Sequence, residues 1–303
     1  MKLYPRFLLL LLAIVGAIAL FAACGDDDDD ATATPAGTKA ATQAAVPTFA
    51  ADSTMAKIVA KGKLTVGVKF DQPGFGLKDP VTGKVDGFDV QMAKEIAKAL
   101  GLKEEQVEFV ESVSANRIPF LQEDKVDLVI ATMTINADRK TQIEFSRPYY
   151  LAGQSILVKK DNTTITKVDD LNGKNVCSVQ GSTSETNVKT KAPQANLLSL
   201  TGYAACVDSL KSGRVDAVST DDIILAGFAA SDNTLKLVGG QFTQEPYGIG
   251  IKKGKTDMAA FVDALLTKEF ADGTWDKIYD KYLGKVEGLP KAADARAKLP
   301  PTN

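Results

Sequence analysis

The sequence predicts an α/β protein with two similar units, in each of which short apolar strands alternate with amphipathic helices. Three observations carry that reading. Leu64-Thr-Val-Gly-Val68 alternates like a half-buried strand. Residues 88–100 then place apolar side chains at helical spacing until Gly101 closes the run. The same strand and helix alternation resumes at Ser155 and continues to Asp221.

In chain order, a short helix containing Ile58 and Val59 precedes the strand at 64–68. After the long helix come a strand at 107–110, a short helix at 118–121 and an apolar strand at 126–132. This β-α-β-α-β order implies a mostly parallel sheet with right-handed crossovers. The second unit reads as strands at 155–158 and 175–179, a helix opened by Gly181-Ser-Thr-Ser184 and a strand at 197–200. A helix over 204–211 and a strand at 216–221 follow, the latter ending in the carboxylates Asp221 and Asp222. A last strand at 248–251 and a helical segment from Met258 through Trp275 to Tyr282 end the foldable region.

The chain has 303 residues, a net charge of −2 and no histidine. Near-neutrality leaves no electrostatic footprint for nucleic acid. The lack of histidine removes His-dependent triads and the common zinc sites, so neither a metal nor another cofactor is expected. Lys2 and Arg6 precede an apolar run from Phe7 to Ala23 that stops at Cys24, which reads as a signal peptide over 1–23. Leu20-Phe-Ala-Ala-Cys24 resembles a lipobox, implying a diacylglycerol anchor on Cys24 and an extracytoplasmic protein held at the membrane. Residues 24–54, with aspartate from Asp26 to Asp30 followed by Ala, Thr, Pro and Gly, are expected to form a disordered tether spanning about 30 Å. Outside the cytoplasm Cys177 and Cys206 are expected to pair, two separate buried thiols being the alternative. In the chain-entropy model such a bridge stabilises by roughly 3 to 4 kcal/mol.

Just beyond the strand at 126–132 stand Thr132, Thr134 and Arg139, at the strand end where ligands gather in parallel sheets. A guanidinium there can grip a carboxylate with two parallel hydrogen bonds. The competing reading is an arginine that stabilises a helix or pairs with Asp138 on the surface. Asp221 supplies an acceptor for an ammonium group, its alternative being a helix cap. Gly181-Ser182-Thr183 opens a helix whose amides and hydroxyls can add to an anion grip, though a plain cap explains it equally well. Lys69 ends the first strand, and Ser114-Ala-Asn-Arg117-Ile-Pro119 precedes a helix, so two cations and a hydroxyl flank the same edge. Phe70 fits an apolar wall or an ordinary core position.

The stretch from Ala131 to Arg139, with Gln142-Ile-Glu-Phe-Ser-Arg-Pro-Tyr-Tyr150 after it, resembles the family 3 bacterial extracellular solute-binding proteins, receptors that deliver amino acids to ABC importers. The resemblance covers about Met55 to Gly284 and implies a two-lobed type II periplasmic-binding-protein fold. It assigns 55–150 plus 247–289 to a discontinuous first lobe, 151–246 to the second and 290–303 to a flexible tail, with hinge strands near Tyr150 and Tyr247. It gives Arg139 the ligand's α-carboxylate, and the Thr134 hydroxyl, the Thr132 carbonyl and Asp221 the α-ammonium. The Asn-Arg-Ile-Pro run resembles the glutamate and aspartate receptors of the family, which implies that Arg117 and Lys69 face an acidic side chain. Tyr203 stands near that side chain, where those relatives carry histidine. The implied protein is a monomeric, non-enzymatic receptor for glutamate or aspartate, partnered by an ABC permease and its ATPase. Two alternatives stay open: a cyclohexadienyl dehydratase on the same fold, with Glu185 or Glu111 as its acid, and a receptor for glutamine or another polar amino acid.

Overall fold

The protein is described by a computed structural model over residues 47–301. The expected signal peptide, Cys24 and most of the expected tether lie outside the described residues. Among the described residues no helix is long and apolar enough to cross a membrane.

Helix α1 (Thr54–Lys61) starts at Ser53, whose Oγ accepts the Ala56 N–H at 3.1 Å and so satisfies one of the free amides of a helix start. All of β1 (Leu64–Val68) is buried. The loop after it holds a small antiparallel sheet of β2 (Asp71–Gln72), β3 (Gly76–Lys78) and β4 (Val85–Asp86). Helix α2 (Phe88–Ala99) buries Phe88, Val90, Met92, Ala93, Ile96 and Ala97, the face that its helical spacing marks out. Then come β5 (Val107–Glu111), α3 (Arg117–Gln122), β6 (Leu128–Val129), α4 (Ala137–Gln142) and β7 (Ile143–Phe145). The strand expected at 126–132 is assigned only over Leu128–Val129, although the Asp127 and Ile130 amides still bond to Thr65 and Gly67 of β1, and beyond it Thr132 takes a φ of 45° as the chain curls across the strand end. A left-handed threonine is uncommon, and such strain concentrates at functional positions.

The chain crosses to the second lobe through β8 (Tyr150–Ala152) and continues with β9 (Gln154–Lys159), β10 (Asn175–Val179), α5 (Thr183–Lys191) and β11 (Asn196–Leu200). Helix α6 (Tyr203–Lys211), β12 (Ala217–Asp221), α7 (Asp222–Ser231) and β13 (Leu235–Val238) complete it. The return runs through β14 (Glu245–Tyr247) into β15 (Gly250–Lys252), followed by α8 (Thr256–Asp272) and α9 (Thr274–Tyr282). Gly273, at φ 76°, separates these two helices where the sequence pattern suggested one continuous segment. Segment 290–303, expected as a flexible tail, instead carries α10 (Ala292–Ala297), held by an Arg296–Asp276 ion pair and by burial of Ala292.

The first sheet has the order β5-β1-β6-β15-β7, the second β11-β10-β12-β9-β13. In each, three parallel strands are extended by two strands that run antiparallel to their neighbours. The same plan is thus laid down twice. The crossing strands β8 and β14 pair antiparallel, with Tyr150 opposite Tyr247 and the two rings stacked at 5.6 Å. Around them Phe75, Phe88, Tyr149, Trp275 and Tyr279 form one aromatic cluster. Cys177 on β10 and Cys206 on α6 form a disulfide with a Cα–Cα distance of 5.4 Å, tying that helix to its sheet.

Candidate ligand-binding site

The two sheets point their strand ends at one cleft. From the first lobe come Lys69 after β1, Ser114 and Arg117 at the start of α3, Thr132 and Thr134 beyond β6, and Arg139 on α4. The second lobe supplies Ser182 and Thr183 at the start of α5, Tyr203 at the start of α6 and Asp221 at the end of β12. All of these are buried except Thr183, which is half-buried. Ser114, Arg117, Thr132, Ser182, Thr183, Tyr203 and Asp221 line a single cavity with Ser184 and Ile224. Its volume is about 10 Å³, close to the minimum for one water, so an amino acid enters only if the lobes part.

Lys69, Thr134 and Arg139, expected as direct contacts, adjoin that lining and are bonded to it or across the cleft in this closed arrangement. Lys69 Nζ donates to Ser114 Oγ at 2.9 Å. Arg139 donates to the Thr134 carbonyl at 2.7 Å and, across the cleft, to the Gly181 carbonyl at 3.2 Å. Gly181 has a φ of 76°, and a Cβ there would come within 2.9 Å of the Ala115 backbone, so a side chain at this position would hold the lobes apart. Arg117 donates to the carbonyls of Ser114, Ala131 and Thr132 at 3.2, 3.1 and 3.2 Å. The Thr132 carbonyl, expected to face an ammonium, therefore already accepts from a guanidinium, and its hydroxyl donates to Gln72 Oε1 at 3.0 Å.

Among the described residues the cations lack direct carboxylate bonds, although Asp71 and Asp89 act through space on Lys69, Asp221 on Arg117, and Glu245 and Asp221 on Arg139. Every hydrogen bond of Lys69, Arg117 and Arg139 among the described residues goes to a carbonyl or hydroxyl, never to a carboxylate. Burial, then the Arg117 charge, pulls the Lys69 ammonium down to about 7. Burial, then Arg139, lowers Arg117 to about 9. Burial also lowers Arg139, with Glu245 and Asp221 acting in the opposite sense. Asp221 is raised to about 8 by burial and by Glu245. One of its oxygens accepts the Tyr247 hydroxyl at 2.6 Å, and the other is buried without a partner. Asp221 makes no capping bond to α7, which disposes of the cap alternative. Arg139 is likewise buried beneath the surface where Asp138 lies, so the surface-pair alternative fails too. Cations pushed towards losing their proton and an acid pushed towards keeping it are groups that gain from a partner of opposite charge.

Several residues at the site had no distinctive sequence signal. Asp89 on α2 accepts the Thr132 N–H at 2.9 Å and the Tyr149 hydroxyl at 2.7 Å, and so holds the strained Thr132 turn. In sequence it resembles any acid in a first helical turn. Gln72 keeps a buried, unpartnered Nε2 beside Thr132. Glu245 lies in Gln-Glu-Pro-Tyr, which carries no periodic pattern, yet it is buried between the lobes. Tyr203 lines the cavity, and burial raises its hydroxyl while the Ser182, Thr220 and Ser184 hydroxyls pull it back.

This arrangement, two lobes closing a charged cleft between paired crossing strands, defines a solute-binding architecture. Residues 64–285 match the family of bacterial extracellular solute-binding proteins, family 3, and the chain belongs to that family. It is 41% identical over 268 residues to the ABC transporter glutamine-binding protein GlnH of Bacillus subtilis, covering 88% of this chain and 93% of that one. It is 36% identical over 248 residues to the glutamate-binding protein GluB of Corynebacterium glutamicum, covering 77% and 84%. Among solved structures, an ancestral arginine-binding protein bound to glutamine is 44% identical with a TM-score of 0.70, covering 74% of this chain and 99% of that one.

Proposed function

We propose that this protein is the extracytoplasmic amino-acid receptor of an ABC importer and that its ligand is glutamate or aspartate. One observation carries the acidic preference: among the described residues the buried cations Lys69, Arg117 and Arg139 hydrogen-bond to no carboxylate, while one buried oxygen of Asp221, opposite them, has no hydrogen-bond donor. In this reading Arg139 turns from the Thr134 and Gly181 carbonyls to the α-carboxylate, joined by the Ser182 hydroxyl and the Thr183 amide at the start of α5. Asp221 and the Thr134 hydroxyl receive the α-ammonium. Arg117, Lys69 with Ser114, and the Tyr203 hydroxyl meet the acidic side chain. Lobe closure excludes water and strengthens each of these contacts. Cys24 anchors the receptor to the membrane, and the ligand passes from the closed cleft to the permease.

A glutamine receptor is the second reading, favoured by the GlnH likeness and by the glutamine-bound ancestral structure. Lys69, lowered to about 7, is partly neutral at physiological pH and tolerates an amide better than a permanent cation would. A dehydratase needs a positioned acid that holds its proton near neutrality, a condition that Asp221, raised to about 8, meets in the cleft but that Glu185, nominated from the sequence, does not. Burial raises its carboxyl, but bonds from Lys189, Ser199 and the Gly181 amide outweigh this and leave it lowered. Incubation with arogenate or prephenate is expected to yield no aromatic product. Thermal shift against the twenty amino acids tests the main reading, since a ligand at 100 times its dissociation constant stabilises by about 2.7 kcal/mol. The largest shifts are expected with glutamate and aspartate; largest shifts with basic or aromatic amino acids refute the acidic pocket.

A further inference from the structure

Glu245 lies on the returning crossing strand β14, is 3% exposed, and accepts four hydrogen bonds from neutral donors. Its Oε2 takes the Thr134 hydroxyl at 2.7 Å and the Thr183 hydroxyl at 2.8 Å. Its Oε1 takes Asn187 Nδ2 at 3.0 Å and the Thr243 hydroxyl at 2.8 Å. Thr134 belongs to the first lobe, whereas Thr183 and Asn187 sit on α5 of the second. The carboxylate thus joins both lobes at the strand that connects them.

We infer that Glu245 is a positioning residue that turns the Thr134 and Thr183 hydroxyls into acceptors toward the cleft, so that closure is coupled to recognition of the ligand's ammonium group. The inference rests on the amino-acid-receptor reading. A carboxylate can only accept, so both hydroxyl hydrogens are spent on it. What each hydroxyl then offers the cleft is lone pairs. The two oxygens lie 3.3 Å apart, beside the cavity into which Asp221 also faces. This corrects one sequence-based expectation: the Thr183 hydroxyl is not available to grip a carboxylate, and only its backbone N–H is.

Neighbouring amides make the polarity testable. Gln154 Nε2 donates to the Ser184 carbonyl at 3.1 Å, a pure acceptor, so Gln154 Oε1 must face Asn187. Asn187 Nδ2 is thereby committed to donate, at 2.8 Å to Gln154 and at 3.0 Å to Glu245. In Glu245→Gln the new carbonyl must therefore face Asn187 and the new NH2 must face Thr134 and Thr183. Those hydroxyls then accept from the amide and donate into the cleft. The substitution preserves shape and inverts polarity.

The experiment compares dissociation constants for L-glutamate and glutarate, its deamino counterpart, in wild type, Glu245→Gln, Thr183→Val and the double variant. Glu245→Gln is expected to cut the preference for glutamate over glutarate about tenfold, through weaker glutamate binding, the size of one lost charge-assisted contact. In the Thr183→Val background the same change is expected to matter less, because one of its two hydroxyls is gone. Equal weakening of both ligands, or strictly additive effects, overturns the inference. Thr183→Val alone keeps the question open to measurement should Glu245→Gln fail to fold: an unchanged glutamate preference in that variant also overturns it. If wild type prefers another amino acid, the glutamate reading falls, while the ratio against that amino acid's deamino counterpart still decides the role of Glu245.

Discussion

The two faces of the cleft share a sheet plan but differ in charge. The first-lobe face presents Lys69, Arg117 and Arg139 from the strand ends and helix starts around β1 and β6. The second-lobe face presents Asp221, Tyr203 and the hydroxyls and amides that open α5. A zwitterion needs both, so neither lobe alone can hold one. Burial also acts on the closed protein itself, since desolvating cations that hydrogen-bond to no carboxylate among the described residues, together with a raised carboxyl, costs free energy that a matching ligand returns. Selection for an amino acid and closure thus become one event. The covalent tie between Cys177 and Cys206 lies on the second lobe and joins β10, the neighbour of the strand that ends in Asp221, to α6, which starts at Tyr203.

The contrast can be broken most severely at Arg139. Arg139→Ala is expected to weaken binding about 1,000-fold or more by calorimetric titration, as truncation of a buried charge partner costs several kcal/mol. Asp221→Asn attacks the other face and is expected to cost about 100-fold, with no loss of preference between side chains. Arg117→Ala is expected to leave binding measurable while reducing the glutamate over glutamine preference about tenfold. A smaller effect concerns pH. The Asp221 carboxyl is raised to about 8 in the fold, so its contribution to stability is complete below its ordinary value of 3.8 and is lost as pH rises through about 8. Lys69, lowered to about 7, acts in the opposite sense: its contribution is present above 10.5 and is lost as pH falls through about 7. Asp89 and Glu269, each raised to about 7 mainly by burial, add to the same fall between pH 5 and 7, so Asp221→Asn is expected to reduce, not abolish, the fall in melting temperature of the ligand-free protein over that range. An unchanged slope would show that Asp221 is ionised in the unliganded state.

Much of this was legible in the sequence where one local pattern sufficed. The alternation in β1, the amphipathic spacing of α2 and the small residues opening α5 each announce their element. Arg139 and Asp221 could be nominated because they stand just past apolar strands. The return of the chain through β14 into the first sheet has no periodic signal and was visible only through family resemblance. The short β6 escaped because its apolar run continues past Val129, and the left-handed turn at Thr132 that follows is held by Asp89 from the distant α2. Glu245 and Gln72 escaped for a related reason: their roles exist only once distant segments meet, and each is an ordinary polar residue in its own neighbourhood. The cations pointed to an anion site, but that Lys69 and Arg139 are held by the Ser114 hydroxyl and by the Thr134 and Gly181 carbonyls in the closed cleft follows from tertiary packing alone.

Calorimetric titration of the wild-type protein at pH 7 with glutamate and then glutamine tests the central claim most directly. Glutamate binding at least about tenfold tighter than glutamine, a difference of 1.4 kcal/mol, is the expected result. Equal or tighter binding of glutamine would contradict an acidic side-chain pocket built from Lys69 and Arg117.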